Sequence, residues 1–244
     1  MKTLAIVGAG PGLGLSIAKT FGQHDFRVAL IARNQEKLDT YVQQLREQHI
    51  EAVGFSADVL NIAQLEAALL SVKETFGPVD MLEYSPVPIF TERASVLDVT
   101  PENALLLFRH QVLGAITSVR AVLPDMLARG SGALFFTTGL SAITPMHSLG
   151  NTGIAVSGLR NYAYSLNQAL ADRGIYAGTL CIGTLITKGD PEKDPDLIAA
   201  RIYEMCEKRD HVEETFPRNI VQASAGIHEQ LAEIVELQKR EHAS

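Results

Sequence analysis

Only two cysteines occur in the 244 residues, Cys181 inside an apolar run and Cys206 in a stretch with helical spacing. Neither has a partner at a metal-ligand spacing, which excludes a cysteine-built metal site and leaves both as buried or incidental thiols. Positive charge is also scarce: 21 Lys and Arg stand against 28 Asp and Glu, a net charge of −7, with no basic stripe interleaved with aromatics. Nucleic acid is therefore excluded as a partner, because the phosphate-neutralising contribution to such binding is missing. Long apolar runs are absent near the N-terminus. The run at 4–7 ends in glycines rather than a cleavage signal and is far too short to cross a bilayer, so no membrane partner and a cytoplasmic location are expected. No Ser/Pro-rich linker interrupts the chain from Leu4 to Gly183, and no repeat or low-complexity segment is evident. A single domain follows, with a hydrophobic content of 46% that can bury a large core.

What is present alternates. Short apolar runs at 4–7, 27–32, 51–57, 79–83, 133–138 and 175–182 read as buried parallel strands. Between them, helical spacing marks 13–22 (Leu13, Ile17, Ala18, Phe21), 36–48, 62–76, 150–171 and one long stretch at 102–127 with Pro124 near its end. This βαβ alternation predicts an α/β fold: a single-domain Rossmann fold with a doubly wound parallel sheet and right-handed crossovers. Beyond Gly183 the texture changes. Residues 188–195 are polar, 197–208 helical, and 227–240 an amphipathic charged helix suited to packing on the body or on a neighbouring subunit. The expected division is a dinucleotide-binding core at 1–190, followed at 191–244 by a C-terminal helical extension and lid of the same domain.

Between the first strand and the first helix stands Val7-Gly8-Ala9-Gly10-Pro11-Gly12-Leu13-Gly14. Glycines there permit a tight turn and close backbone approach, and the N–H groups that open the helix attract a diphosphate. Gly8, Gly12 and Gly14 are similar to the TGxxxGxG cofactor motif of the short-chain dehydrogenase/reductase family, with Val7 replacing its threonine. The resemblance implies a nicotinamide coenzyme held by Gly8, Gly10, Pro11, Gly12, Leu13 and Gly14.

After the second strand the chain reads Ile31-Ala32-Arg33-Asn34, without the acidic side chain that would hold both ribose hydroxyls of NAD. Arg33 suits a 2′-phosphate instead, and Ala-Arg-Asn resembles the signature of the NADP-preferring members. NADP(H) is the expected cofactor, although Pro11 stands where some of those members carry a second basic residue. Asp58-Val59 resembles the family's pair facing the adenine, while Asp58 equally suits the cap of the helix starting near Asn61. Ile182-Gly183-Thr184-Leu185-Ile186-Thr187 resembles the segment bordering the nicotinamide, which assigns Gly183 and Thr187 to that border.

The resemblance covers Met1 to Thr187, and within it the reaction centre departs from the pattern. The family uses a tyrosine as proton donor, a lysine that lowers its pKa, a serine that orients the carbonyl and an asparagine that anchors a water. Aligned on Val156-Ser157-Gly158-Leu159-Arg160, this chain has Thr152 at the tyrosine and Val156 at the lysine position. Gly139 takes the serine position and Gln111 that of the asparagine; Tyr84-Ser85-Pro86-Val87 replaces the motif after the fourth strand. A threonine hydroxyl has a pKa far above the tyrosine value of about 10, and valine has no charge to lower it.

Three readings result. In the first, the protein binds NADP(H) without the family's chemistry, as a sensor or partner subunit. In the second, it is an NADPH-dependent carbonyl or alcohol oxidoreductase with a relocated donor, for which His147, Tyr84 and Ser141 are the candidates, His147 because its ordinary pKa of about 6.5 suits proton exchange. The third is an empty scaffold. The family's habit of associating through two long helices implies a homodimer or homotetramer, with Leu106, Ile116 and Leu166 on the faces concerned. The segment from Thr184 to about Asp196 is expected to form a lid over the site, and the substrate, if there is one, is a small molecule.

Overall fold

The computed structural model describes residues 1–88 and 93–218. A seven-stranded, wholly parallel sheet runs in the order β3-β2-β1-β4-β5-β6-β7. In chain order the elements are β1 (Lys2–Val7), α1 (Leu13–Gly22), β2 (Phe26–Ala32), α2 (Gln35–Arg46), β3 (Ala52–Ser56), α3 (Ile62–Phe76) and β4 (Met81–Tyr84). There follow α4 (Pro101–Phe108), α5 (Gly114–Arg129), β5 (Gly132–Gly139), α6 (Gly150–Leu170), β6 (Ile175–Ile182), α7 (Pro195–Lys208) and β7 (Glu213–Phe216). The single Rossmann-type domain expected from the alternation is what the chain forms.

Continuously apolar strands follow from burial on both faces. In β1, Leu4 and Ile6 join a core shared with α1, α2 and α7, while Ala5 and Val7 join one shared with α3, α5 and α6. From β1 the chain first builds outward through β2 and β3, then crosses to β4 on the other side of β1. That reversal splits the strand ends apart, and ligands of such sheets bind in the crevice it opens.

Two departures from the sequence pattern bear on the site. The stretch at 102–127 is not one helix: a π-helical turn, Arg109–Leu113, separates α4 from α5. Helix α5 also continues past Pro124 to Arg129, where Gly130 ends it in the left-handed conformation. The second departure is β7, whose sequence Glu213-Glu214-Thr215-Phe216 lacks any strand-like apolar pattern. It forms because its charges are matched from both sides. Arg160 of α6 grips Glu213 at 2.5 and 3.0 Å, and Arg201 of α7 forks onto Glu214. The helix expected at 227–240 lies outside the described residues.

The π turn is tied to the sheet through Tyr84. Its fully buried hydroxyl donates to the His110 carbonyl at 2.5 Å, and the ring lies against Gly114, where a Cβ would come within 2.2 Å of that hydroxyl. Gly114→Ala should therefore lower stability by about 1–3 kcal/mol in urea unfolding, as overpacking does. Adding Tyr84→Phe, which removes the clashing oxygen, should recover part of that loss; a strictly additive pair of losses would contradict this packing.

Candidate functional site

A crevice of about 640 Å³ opens along the C-terminal ends of β1, β2, β4, β5 and β6. Its floor begins at the turn between β1 and α1. Gly8 has φ +96°, and a Cβ there would meet Pro86 backbone atoms at 2.4 Å, so the turn hugs the end of β4 only because this residue has no side chain. At Gly10 and Gly12 the opposite holds, since a Cβ would meet no atom within 4 Å. No side chain caps α1 at Gly12. The opening turn of α1 therefore presents backbone N–H groups to open space, a cradle that fits a diphosphate. The residues present thus fit a dinucleotide.

Of the residues expected to hold the coenzyme, Gly8, Gly10, Pro11, Gly12, Leu13, Gly14, Arg33 and Val59 line the crevice. Four others do not. Asn34 is engaged as the cap of α2, accepting from Lys37 N–H at 2.9 Å. Asp58 accepts from Leu60 N–H at 2.9 Å, and the cap of α3 is Asn61, not Asp58. Gly183 donates its N–H to the Phe216 carbonyl at 2.8 Å, which couples it to β7. The Thr187 hydroxyl turns back to the Leu185 carbonyl. In the expected lid only Thr184, Leu185 and Ile186 reach the crevice. Beyond them the chain folds on itself, with Thr187 N–H on the Lys193 carbonyl and Gly189 N–H on the Asp194 carboxylate.

The four positions aligned with the family's reaction centre do converge. Gln111, Gly139, Thr152 and Val156 all line the crevice. The Thr152 hydroxyl is buried without a hydrogen-bond partner, as a polar group awaiting a ligand would be. Gln111 donates to the Pro86 carbonyl at 3.1 Å and to His110 Nδ1 at 3.4 Å, which leaves the imidazole proton on Nε2. Among the relocated donors, Ser141 lines the crevice, whereas His147 is exposed outside it and Tyr84 is sealed in the core. Burial pushes the Tyr84 hydroxyl far above the usual tyrosine value, so it holds its proton as a structural donor.

Three ionisable residues escaped the sequence reading. His110 is turned into the crevice by the π turn; burial and then the Arg33 charge pull its pKa down to about 4, against a smaller upward pull from Asp58. Arg93 also lines the wall. Glu83 is the third. Its register partners are Ile6 and Phe135, so its side chain enters the apolar core on the α1 and α7 side of the sheet. There the carboxyl accepts from the Ser85 hydroxyl at 2.8 Å and the Thr137 hydroxyl at 2.8 Å, and both of those residues line the crevice. Burial raises its pKa to about 7 despite the two hydrogen bonds, which act downward. Strand alternation was the available signal, since an acid inside an apolar run must face a core.

Comparison with known proteins agrees with this geometry. The family model described as short chain dehydrogenase matches residues 2–197. A candidate ketoacyl reductase of Streptomyces coelicolor is 28% identical over 240 residues, spanning 95% of this chain and 86% of its own length. In fold, a short-chain dehydrogenase from Streptomyces avermitilis superposes with a TM-score of 0.79 at 21% identity, covering 100% of this chain and 98% of that one. L-sorbose reductase from Gluconobacter frateurii, solved with NADPH and L-sorbose, gives 0.79 at 20% identity over 88% and 94% of the two chains. No helix among the described residues is long and apolar enough to cross a membrane.

The Glu83 carboxyl carries a pH signature. Its folded pKa of about 7 lies above the ordinary 4.5, so the folded chain holds this proton more tightly. The associated stability is complete below about pH 4.5 and is lost as pH rises through about 7. Between about pH 5 and pH 8 the wild type should lose on the order of 2–3 kcal/mol from this group. Glu83→Gln should flatten the dependence in thermal or urea unfolding, and parallel curves for the two proteins would refute the assignment.

Proposed function

Because the chain belongs to the short-chain dehydrogenase family, whose members use nicotinamide coenzymes, we propose that it binds NADP(H) in the crevice without the family's usual proton-transfer set. In this reading it acts as an NADP(H)-responsive sensor or partner subunit. The observation that carries it is the composition of one wall: glycine, threonine and valine at 139, 152 and 156 line the crevice where serine, tyrosine and lysine are expected. The α1 turn would hold the diphosphate, and the Arg33 guanidinium would take the 2′-phosphate as a charge-assisted, forked contact. His110, neutral at ordinary pH, adds no competing charge beside Arg33.

A bound nicotinamide would supply or accept a hydride, and any proton must then come from the protein. One observation favours a second reading on those grounds, that of an NADPH-dependent carbonyl or alcohol oxidoreductase. Glu83 is an acid poised near neutrality whose two oxygens each meet a hydroxyl on the crevice wall. Its proton could pass to the Ser85 or Thr137 oxygen as that hydroxyl gives its own to a substrate alkoxide.

We further propose a cytoplasmic homodimer or homotetramer built on α5 and α6, where Ile116 and Leu166 remain half-buried, as does Leu106 of α4. Light scattering that returned only monomer would count against this.

Calorimetric titration with NADPH and NADH, followed by a carbonyl and alcohol turnover screen, separates the readings. Micromolar or tighter NADPH binding with no turnover supports the sensor. Turnover that disappears in Glu83→Gln supports the oxidoreductase, and absence of binding removes both. Arg33→Ala should weaken NADPH by about tenfold or more, roughly 1.4 kcal/mol, with less than about a twofold change for NADH. An equal loss for both would show that no 2′-phosphate is read there.

A further inference from the structure

Glu83 lies behind the crevice wall rather than in it. Its side chain is fully buried on the α1 and α7 side of β4, and each carboxyl oxygen accepts from one hydroxyl of the wall, Ser85 and Thr137, both at 2.8 Å. Those two residues are only half-buried and line the crevice. Ser85 also adjoins the glycine turn. Its N–H donates to the Val7 carbonyl at 2.9 Å, and a Cβ on Gly8 would meet its carbonyl carbon at 2.8 Å.

An ionised carboxylate can only accept hydrogen bonds, so while Glu83 is ionised both hydroxyl protons are committed to it and the wall offers the crevice lone pairs alone. A phosphate oxygen placed there would meet an acceptor backed by a negative charge in a core of low dielectric. One proton on Glu83 reverses both conditions. The carboxyl O–H then donates to one hydroxyl oxygen, the proton of that hydroxyl is freed to turn into the crevice, and the buried negative charge is gone. Because burial raises the Glu83 pKa to about 7, both forms are populated near neutrality.

The surroundings leave that proton to Glu83. Its neighbours in the sheet, Ile6 and Phe135, do not titrate. The titratable side chain of α1 is Lys19, in its last turn. Helix α7 brings the Cys206 thiol, which feels the Glu83 charge and which burial keeps protonated. The other ionisable groups of α7 are engaged elsewhere or exposed: Arg201 and Lys208 share Glu204, Tyr203 stacks on His24, and Asp196 and Glu207 face solvent.

We propose that Ser85 and Glu83 form a proton-gated recognition element for the coenzyme's diphosphate: a proton taken from solvent by the Glu83 carboxyl releases the Ser85 hydroxyl to donate to a phosphate oxygen at the turn. The proposal deepens the dinucleotide reading and rests on it for the ligand. Binding and proton uptake are then one event, and the protein holds its coenzyme more tightly as pH falls through neutrality.

The test uses the full chain, titrated with NADPH by calorimetry between about pH 6.5 and about pH 8.5, in pairs of buffers of different ionisation heat so that protons are counted. Wild-type affinity should fall by about fivefold or more across that range, with roughly half a proton or more taken up per NADPH near neutrality. The 2′-phosphate of the coenzyme titrates as well, so the decisive quantity is the difference from Glu83→Gln, whose amide accepts from one hydroxyl and donates to the other as the protonated acid does. At the alkaline end that variant should bind NADPH about fivefold or more tightly than the wild type, at the acid end within about twofold of it, and it should take up fewer protons. Ser85→Ala should weaken binding at the acid end by about threefold or more and also lower the proton count. Far-UV spectra and melting midpoints establish folding; if Glu83→Gln is not folded, the proton count of wild type against Ser85→Ala decides. The same pH dependence in wild type and folded Glu83→Gln overturns the proposal, as does an equal proton count in wild type and Ser85→Ala. A wild type that binds NADPH at no pH removes the coenzyme reading separately. Inorganic pyrophosphate titrated in the same way then decides the proposal, which falls if pyrophosphate fails to bind or binds wild type and Glu83→Gln alike at every pH.

Discussion

The approach of the Gly8 backbone to Pro86, at a distance where no Cβ fits, is the contact on which the rest of the site depends. It draws the end of β1 against the end of β4 at the point where the strand order reverses, and it aims the opening turn of α1 across the gap. Everything that lines the crevice is measured from there. Arg33 arrives on one side because β2 pairs with β1 in register, Ile31 beside Val7. Gln111 arrives on the other because its amide bonds the carbonyl of that same Pro86.

Several of the buried polar groups in this protein are answered by a partner from another element. Glu83 sits in the apolar core between two hydroxyls and keeps its proton to near neutrality. Tyr84, its neighbour, points to the opposite face and spends its hydroxyl on the π turn. At the far edge of the sheet, Arg160 and Arg201 neutralise Glu213 and Glu214, and a charged tetrapeptide becomes a strand. In each case the desolvation of a charge or dipole is balanced by a partner from a different element. Such balances hold elements in fixed relation more than they add net stability.

The crevice itself follows a different rule. Its lining gathers cationic and neutral groups and no carboxylates among the described residues. A phosphate-bearing ligand at the turn would meet a favourable field beside Arg33 despite the overall net charge of −7. The local field, rather than the net charge, determines what enters.

Much of this was legible in the chain alone. Helical and strand periodicity gave the element order, and continuous apolar runs gave a parallel sheet, because both depend on repeats of a few residues. The Gly8–Gly14 turn and Arg33 were readable for the same reason: a glycine spacing and the residue after a strand have fixed positions relative to their own element. Only the tertiary structure decided which polar side chains face the crevice. Asn34 and Asp58 sit beside it yet bond to nearby backbone; His147 stays outside, Tyr84 is walled in by Gly114, and His110, Ser85, Thr137 and Arg93 join the lining. Strand β7 likewise exists only through arginines distant in sequence. Local pattern sets the direction a side chain leaves the backbone, whereas its surroundings are set by contacts between elements that are distant in the chain.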